Sequence, residues 1–105
     1  MPIDITIREA TAKTKKRFTA IFRIHKGGKV IKITHFGQRN PKFGTYIDHG
    51  DKESRKNYIA RHEVREKKFY TNPKRASTLS RFILWGDSTD LDTAIKDYKT
   101  KFKLK

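Results

Sequence analysis

The sequence predicts an α+β fold, in which an N-terminal β-hairpin, extended by a candidate third strand, packs on about three α-helices. Apolar and polar residues alternate in the first third of the chain, which is the period of a half-buried strand. Further along, apolar residues recur every three or four positions, which is the period of an amphipathic helix. A length of 105 residues suits one domain. We therefore expect residues 1–105 to form a single small basic domain with a basic N-terminal segment and a basic C-terminal tail.

The hairpin is predicted at residues 17–37. Apolar residues alternate from Phe18 to Ile24, and residues 30–36 are rich in β-branched side chains. Gly27 and Gly28 separate the two runs, and glycine takes the positive φ that a tight hairpin turn requires. The candidate third strand carries the alternating residues Ile3, Ile5 and Ile7. The stretches 10–17 and 37–50 are expected to be loops.

Two helices are predicted in the middle of the chain. Asp51 is expected to cap a helix that runs to about Glu66, because an aspartate side chain accepts hydrogen bonds from the first backbone amides of a helix. A short, mostly apolar helix should begin at Ser77 or Thr78 and end near Gly86.

The last predicted helix begins at Ser88 or Thr89 and carries the clearest helical stripe of the chain. The apolar residues of that stripe are Leu91, Ile95, Tyr98 and Phe102. With the rings of the preceding segments they predict the centre of the core. The expected core residues are Tyr58, Ile59, Phe82, Trp85, Ile95 and Tyr98.

The charge of the chain indicates the class of its partner. It has 26 Lys and Arg against 11 Asp and Glu, a formal net charge of +15. Such an excess opposes compact folding through self-repulsion unless an anion offsets it. The natural partners are nucleic acid, an acidic protein face or anionic lipid. A basic C-terminal end should be ordered by packing either on such a partner or on its own domain.

Composition excludes several other classes. The chain has no cysteine, so it has no disulfide frame, thiolate metal site or cysteine nucleophile, which fits an intracellular protein. No apolar run approaches the roughly 18 residues of a membrane span. The N-terminal residues lack the basic start and long apolar stretch of a signal peptide.

The basic residues that are candidates for polyanion binding fall in three groups, which precede the hairpin, decorate the helix after Asp51, and follow that helix. They are Lys13, Lys15, Lys16, Arg17, Lys52, Arg55, Lys56, Arg61, Arg65, Lys67, Lys68, Lys74 and Arg75. Each cation that neutralises a phosphate releases a counterion, so nucleic-acid affinity would depend steeply on salt. The alternative is a solvated cationic surface with no dedicated partner.

Other candidate constellations are weaker. Four aromatic residues within or beside basic stretches either stack on bases or anchor loops to the core, and we favour anchoring. These residues are Phe36, Phe43, Tyr46 and Phe69. A metal or nuclease centre would need His49, Asp51, His62 and Glu63, but no paired His-x-x-x-His accompanies them. We expect His62 to lie on the core face, bonded to a loop carbonyl, Asp48 or Asp51. No metal, cofactor or small-molecule substrate is predicted.

Several short segments together resemble a known family. They are His35-Phe36-Gly37, Thr45-Tyr46-Ile47-Asp48-His49, Tyr58-Ile59-Ala60-Arg61-His62, Ser80-Arg81-Phe82-Ile83-Leu84-Trp85-Gly86, and Asp97-Tyr98 with Phe102. The pattern resembles small, basic, uncharacterised proteins of large double-stranded DNA viruses of algae and protists (phycodnavirus- or mimivirus-like), over roughly residues 18–102. The chain departs from that family at residues 45–48, where the family tends to carry Asp-Tyr-Thr. It also has Phe69-Tyr70 where the family tends to carry a Trp.

The resemblance and the charge together favour a non-enzymatic structural protein of a large DNA virus particle. It would be a minor capsid or core-associated cement protein that binds acidic protein or packaged genome. The expected location is then the virion, and the host cytoplasm or nucleus during infection. The second hypothesis is a free nucleic-acid-binding protein that compacts or regulates viral DNA or RNA. A nuclease is third.

Overall fold

The structure is a computed structural model that describes residues 3–11, 13, 15–38 and 44–105. For Gln38 it describes the backbone only. Phe43, one of the four candidate stacking rings, therefore lies outside the described residues. So does residue range 39–43 of the predicted loop.

Three antiparallel strands form one sheet in chain order, which confirms the predicted hairpin and the third strand. The strands are β1 (Asp4–Glu9), β2 (Lys16–Arg23) and β3 (Val30–Gln38). β2 begins inside the segment predicted to be a loop, because Lys16 is already paired with β3. Ile5 lies opposite Phe22, and Ala20 lies opposite Thr34, so these side chains share the inner face of the sheet.

The described part of the chain also contains four helices, one more than the sequence predicts. They are α1 (Tyr46–His49), α2 (Lys52–Glu66), α3 (Ala76–Leu79) and α4 (Leu91–Phe102). A 3₁₀ turn, Lys67–Phe69, follows α2, and α3 continues into a π-helical segment, Ser80–Leu84. The α1 turn falls in the predicted loop. It forms because Asp48 reaches back to the backbone amide and hydroxyl of Thr45, at 2.8 and 2.7 Å.

The caps explain where the other helices begin. Asp51 accepts hydrogen bonds from the backbone amides of Glu53 and Ser54, as predicted for α2. The prediction for α4 was wrong, because its cap is Asp90 and not Ser88 or Thr89. The Asp90 carboxylate accepts from the amide and the hydroxyl of Thr93, which satisfies one of the open amides of the first turn.

The start of α3 also differs from the prediction. Helix α3 begins at Ala76, with Arg75 at its N-cap, and not at Ser77 or Thr78. Thr78 does not cap the helix, because its hydroxyl donates instead to the carbonyl of Phe69 at 2.8 Å. The π-helical segment ends at Leu84 with Trp85 at its C-cap, directly before the Gly86 that the sequence predicted as the stop. A Cβ on Gly86 would collide with the carbonyl of Phe82.

The core lies between the inner face of the sheet and the α3, π-helical and α4 segments. Its buried members are Ile5, Phe18, Ala20, Phe22, Phe36, Leu79, Ile83, Leu84, Ala94 and Tyr98. Of the predicted core residues only Tyr98 is fully buried, and the other five are half-buried. The prediction was wrong for Tyr58 and Ile59 because α2 contributes no buried residue. Helix α2 contacts α1 and the 3₁₀ turn Lys67–Phe69, and it does not lie across the sheet as a core helix would.

The basic C-terminal end packs on its own domain. The backbone amide of Lys105 donates to the carbonyl of Ile3 at 2.9 Å, and the amide of Ile5 donates to the carbonyl of Lys105 at 3.0 Å. Leu104 packs against the core beside this pairing. None of the helices in the described segments is long and apolar enough to cross a membrane.

A candidate polyanion-binding surface

The basic residues of α2 do not form one surface. With about 100° of rotation per residue, Lys56 and Arg61 project roughly 140° apart around the helix axis. Lys52 and Lys56 share one edge, while Arg61 and Arg65 share another, and all four side chains are exposed. Arg55 projects toward the body of the protein. The structure therefore divides a group of cations that the sequence presents as one.

The edge that carries Arg61 and Arg65 continues into the turn after α2. Arg65, Lys67 and Lys68 line one shallow depression, together with the acidic Glu63 and the apolar Ala60 and Val64. The Val64 side chain is 88% exposed there. Cations from the helix and from the turn are thus gathered on a single stretch of surface.

Phe69 joins this surface to the next basic group. The Arg75 guanidinium carbon lies 3.8 Å from the centre of the Phe69 ring, and the Lys68 ammonium lies 5.1 Å from it. Both distances are within the range of a cation–π contact. We call the resulting surface the basic ridge, which consists of Arg61, Arg65, Lys67, Lys68, Lys74 and Arg75.

Two predicted site residues are held inside the domain. The Arg17 guanidinium binds both carboxylate oxygens of Asp48, at 2.7 and 2.8 Å. This ion pair holds the pKa of the Asp48 carboxyl well below its usual range. Arg55 Nε donates to the carbonyls of Trp85 and Gly86, at 3.2 and 2.8 Å.

The remaining contacts of Arg55 lie directly after the π-helical segment. Its guanidinium forms an ion pair with Asp87 at 2.8 Å. Arg81, which the sequence did not single out, donates to the same Trp85 carbonyl at 3.0 Å. Burial and the neighbouring Arg55 lower the pKa of the Arg81 guanidinium. The sequence does not predict that Arg55 and Arg81 bind these backbone carbonyls, because no neighbouring residue distinguishes an arginine with tertiary contacts from a solvated one.

The cations before the hairpin lie between β1 and β2 and at the start of β2. Lys13 and Lys15 are exposed between β1 and β2, and the exposed Lys16 opens β2. They flank the Arg17 ion pair. We keep Lys13, Lys15 and Lys16 as predicted binding residues, as we do Lys52 and Lys56.

An aromatic stack lies beside Arg61. The rings of Tyr58 and Trp85 are parallel within 5°, with centres 4.4 Å apart, and His62 stacks on Tyr58 at 4.1 Å. His49 meets Trp85 edge-on at 5.7 Å. These rings line an open groove of about 830 Å³, to which Arg61 also contributes. Burial raises the pKa of the Tyr58 hydroxyl, so it stays protonated.

The two candidate histidines have local structural partners. His49 Nδ1 accepts from the backbone amide of Asp51 at 2.8 Å. His62 Nδ1 lies 3.3 Å from Glu66 Oε2, one turn along α2, and not near the loop carbonyl, Asp48 or Asp51 that the sequence suggested. Glu66 also accepts from the hydroxyl of Tyr70, whose pKa is raised to about 12 by burial and this carboxylate. Among the described residues, no group of three or more His, Asp or Glu side chains is arranged to hold a metal ion.

The described carboxylates form no ion pair with the basic ridge, although Glu63 lines the same depression as Arg65, Lys67 and Lys68. Several are used to form caps or ion pairs, namely Asp48, Asp51, Glu66, Asp87 and Asp90. In the described part of the chain, the ion pairs within 4 Å join Arg17 to Asp48, Arg55 to Asp87 and His62 to Glu66. None of them involves a cation of the basic ridge.

The fold and this surface define the class of the protein: a small, strongly basic α+β domain that presents a ridge of cations beside an aromatic groove. The chain belongs to the family of unknown function DUF5754, whose model matches residues 5–62, more than half of its length. The matched region contains the sheet, α1 and most of α2. Neither a curated protein nor a solved structure matches the chain significantly.

Proposed function

We propose that this protein is a non-enzymatic binding protein that holds an acidic partner on the basic ridge. The observation that carries the proposal is the difference between two sets of cations. Arg17 and Arg55 are neutralised by carboxylates of their own domain, whereas the described carboxylates form no ion pair with the basic ridge. Unbalanced, clustered cations raise the local concentration of an anionic partner and gain free energy when that partner releases its counterions.

The setting we propose is the particle of a large DNA virus, where the protein serves as a minor capsid or core-associated cement protein. The sequence resemblance to small basic proteins of such viruses supports this setting. An acidic face of a capsid or core protein, or the packaged genome, would be the partner. Its location would be the virion, and the host cytoplasm or nucleus during infection. No membrane-spanning segment or small-molecule substrate enters this role.

Mass spectrometry of purified particles tests the setting. A cement protein is expected at a constant copy number per particle across gradient fractions. If the protein is missing from particles but abundant on viral DNA in infected cells, the free nucleic-acid-binding role replaces the structural one.

A charge-matched pair of variants tests the surface. One variant carries Arg61, Arg65 and Lys67 changed to Gln, and the other carries the exposed residues Lys26, Lys96 and Lys103 changed to Gln. Both lose the same formal charge. We expect the first to bind polyglutamate or duplex DNA about tenfold more weakly at physiological salt, with a shallower salt dependence, and the second to change far less. Equal losses in both variants would mean that only the total charge matters.

The aromatic groove favours the second candidate, a free nucleic-acid-binding protein. Trp85 and Tyr58 are half-buried, line the groove with Arg61, and offer ring surface of the kind on which single-stranded bases stack. A single-stranded oligonucleotide that enters the groove should quench the fluorescence of Trp85, the one tryptophan of the chain. Binding without quenching would confine the contact to the basic ridge.

The nuclease hypothesis is tested by incubating purified protein with nucleic acid and Mg²⁺ or Zn²⁺. We expect no cleavage, because His49 and His62 are engaged with neighbouring groups. Cleavage that persists through purification and disappears in His62→Ala would establish an enzyme.

A further inference from the structure

The two edge strands of the sheet differ in what covers them. Along β1, the backbone of Lys105 pairs with Ile3 and Ile5. Along β3, no backbone hydrogen bond from outside the sheet reaches Ile33 or His35 in the described part of the chain. An uncovered edge is a template on which another extended chain can pair.

The register shows which groups of β3 face outward. The Ala10 amide donates to the carbonyl of Arg17, so alternate residues of β2 from Arg17 onward bond to β1. The intervening residues, among them Ala20, bond to β3, where Thr34 lies opposite Ala20. The flanking residues Ile33 and His35 therefore direct their amides and carbonyls away from the sheet. Their spacing of two residues is the repeat at which a neighbouring strand forms its bonds.

A cationic groove runs along this edge. The turn at residues 72–75 and the start of α3 lie beside β3, held by a 2.6 Å hydrogen bond from the hydroxyl of Thr34 to the carbonyl of Lys74. Lys32, Ile33, Lys74 and Arg75 line the groove between strand and turn, which has a volume of about 630 Å³. Ile33 is 52% exposed, and its side chain lies on the opposite face of β3 from Lys32 and Thr34.

We propose that the free edge of β3 binds an extended acidic peptide segment of a partner protein as a fourth strand. Acidic side chains at alternate positions of that segment would meet Lys32, Lys74 and Arg75. The intervening apolar side chains would cover Ile33 and the neighbouring Val30, which is 40% exposed. The proposal rests on the proposed function and deepens it, because it specifies a peptide as the acidic partner. It places the contact at the sheet edge, where Lys74 and Arg75 of the basic ridge line the groove.

The chemistry of the edge selects against the other occupants. The exposed backbone offers carbonyl acceptors as well as amide donors. Phosphodiester oxygens accept hydrogen bonds but donate none, so a nucleic acid bound through its phosphates would leave the carbonyls of Ile33 and His35 without donors. A second copy of this chain would bring Lys32 and the strong positive charge of two domains together, and like charges across paired strands are destabilising. A peptide strand with carboxylates satisfies both requirements.

The test uses the full chain and a synthetic peptide that alternates Glu and Val over the length of β3. Nuclear magnetic resonance titration is expected to shift the amide signals of Ile33 and His35, and hydrogen exchange at both amides should slow at least tenfold when the peptide is saturating. A peptide of the same sequence that is N-methylated at alternate residues lacks the edge donors and should bind at least tenfold more weakly.

Two variants separate the backbone from the charge. Ile33→Pro removes an outward amide without removing a bond of the sheet, a position at which an edge strand tolerates proline, and it should abolish the protection of the His35 amide. The triple variant Lys32→Gln, Lys74→Gln and Arg75→Gln should weaken peptide binding about tenfold and leave the fold intact. The variant of Arg61, Arg65 and Lys67 described above serves as the control, in which the saturating peptide should still protect the amides of Ile33 and His35.

The proposal is overturned if the N-methylated peptide binds as well as its parent, or if the peptide binds without protecting the Ile33 and His35 amides. Protection of these amides by a single-stranded oligonucleotide instead of the peptide would also overturn it. None of these outcomes decides whether the basic ridge binds an acidic partner. That function is tested by the salt-dependent binding of polyglutamate and DNA, and not by protection of the β3 amides.

Discussion

The guanidinium of Arg17 donates two hydrogen bonds, at 2.7 and 2.8 Å, to the carboxylate of Asp48, 31 residues further along the chain. The same carboxylate forms the capping box of α1 through Thr45. One residue of a lysine-rich segment therefore fastens the central strand to the helical half of the domain. This arginine is a structural residue by its contacts, although its neighbours in sequence are exposed cations.

The Arg17–Asp48 pair predicts a defined pH dependence of stability. The Asp48 pKa is lower in the folded chain than in the unfolded chain, so the pair stabilises the fold above the unfolded-state value, near about pH 4. That contribution is lost as the pH falls below this value toward the folded-state pKa. Asp48→Asn should be destabilised by roughly 1 kcal/mol at neutral pH and should lose less stability than wild type on acidification.

Urea unfolding at pH 7 and pH 3 measures this difference. Asp97→Asn is the control, since Asp97 is exposed and forms none of the ion pairs between described residues. An unchanged acid dependence in Asp48→Asn would assign the acid sensitivity to other groups.

Gly27 and Gly28 of the hairpin turn exclude a side chain for different reasons, backbone conformation at Gly27 and close neighbouring side chains at Gly28. Gly27 has a φ of +76°, and no neighbouring atom lies within 4 Å of the place that a Cβ would take, so a side chain there is opposed by backbone strain alone. We expect Gly27→Ala to cost about 1 kcal/mol of unfolding free energy and Gly27→Asn distinctly less, because asparagine tolerates the left-handed region. The sequence did not distinguish Gly27 from Gly28 as the residue with positive φ, and the φ of Gly28 lies outside that region.

Equilibrium denaturation of the two Gly27 variants decides the matter. Equal losses for Ala and Asn would point to a cause other than backbone conformation.

Trp85 is expected to contribute less to stability than a fully buried tryptophan. Its ring stacks on Tyr58 at the wall of an open groove. We expect Trp85→Ala to cost about 2 kcal/mol, below the range for a core tryptophan, with about 1 kcal/mol of this coupled to Tyr58. A double-mutant cycle with Tyr58→Ala measures the coupling, and acrylamide quenching reports the exposure of the native ring. Zero coupling energy would show that the stack is not formed in solution.

Tyr98 should stabilise the turn around Pro73, which borders the cationic groove beside β3. Its hydroxyl donates to the carbonyl of Pro73 at 2.6 Å, and the residue is 1% exposed. Tyr98→Phe removes the donor and leaves a carbonyl without its partner, which should cost about 1–2 kcal/mol. Hydrogen exchange of the amides at residues 74–76 should accelerate in this variant, whereas Tyr70→Phe, whose hydroxyl bonds to Glu66, should leave those amides unchanged. Unaltered exchange in Tyr98→Phe would contradict this role.

The sequence by itself determined the three strands, the start of α2 and the charge of this protein. Two-residue alternation predicts the strands, and the Asp51 cap predicts α2, because both signals are local and depend on neighbouring residues only. The α1 turn was missed because its signal, the Thr45–Asp48 capping box, lay within a stretch of glycines and proline. The total charge follows from composition, and so does the expectation of an acidic partner.

Tertiary structure decided which cations are free to bind. Arg17 and Arg55 belong to the same sequence clusters as exposed lysines, yet ion pairs with Asp48 and Asp87, about thirty residues away along the chain, hold them inside the domain. Tertiary packing also joined Lys68 to Arg75 through Phe69 and covered the β1 edge with Lys105. Among the described residues, none outside the sheet forms a backbone hydrogen bond with Ile33 or His35 of β3. A periodic pattern predicts which face of an element is apolar, but not which distant residue will contact it. Those long-range contacts distinguish the structural arginines, Arg17 and Arg55, from the basic ridge.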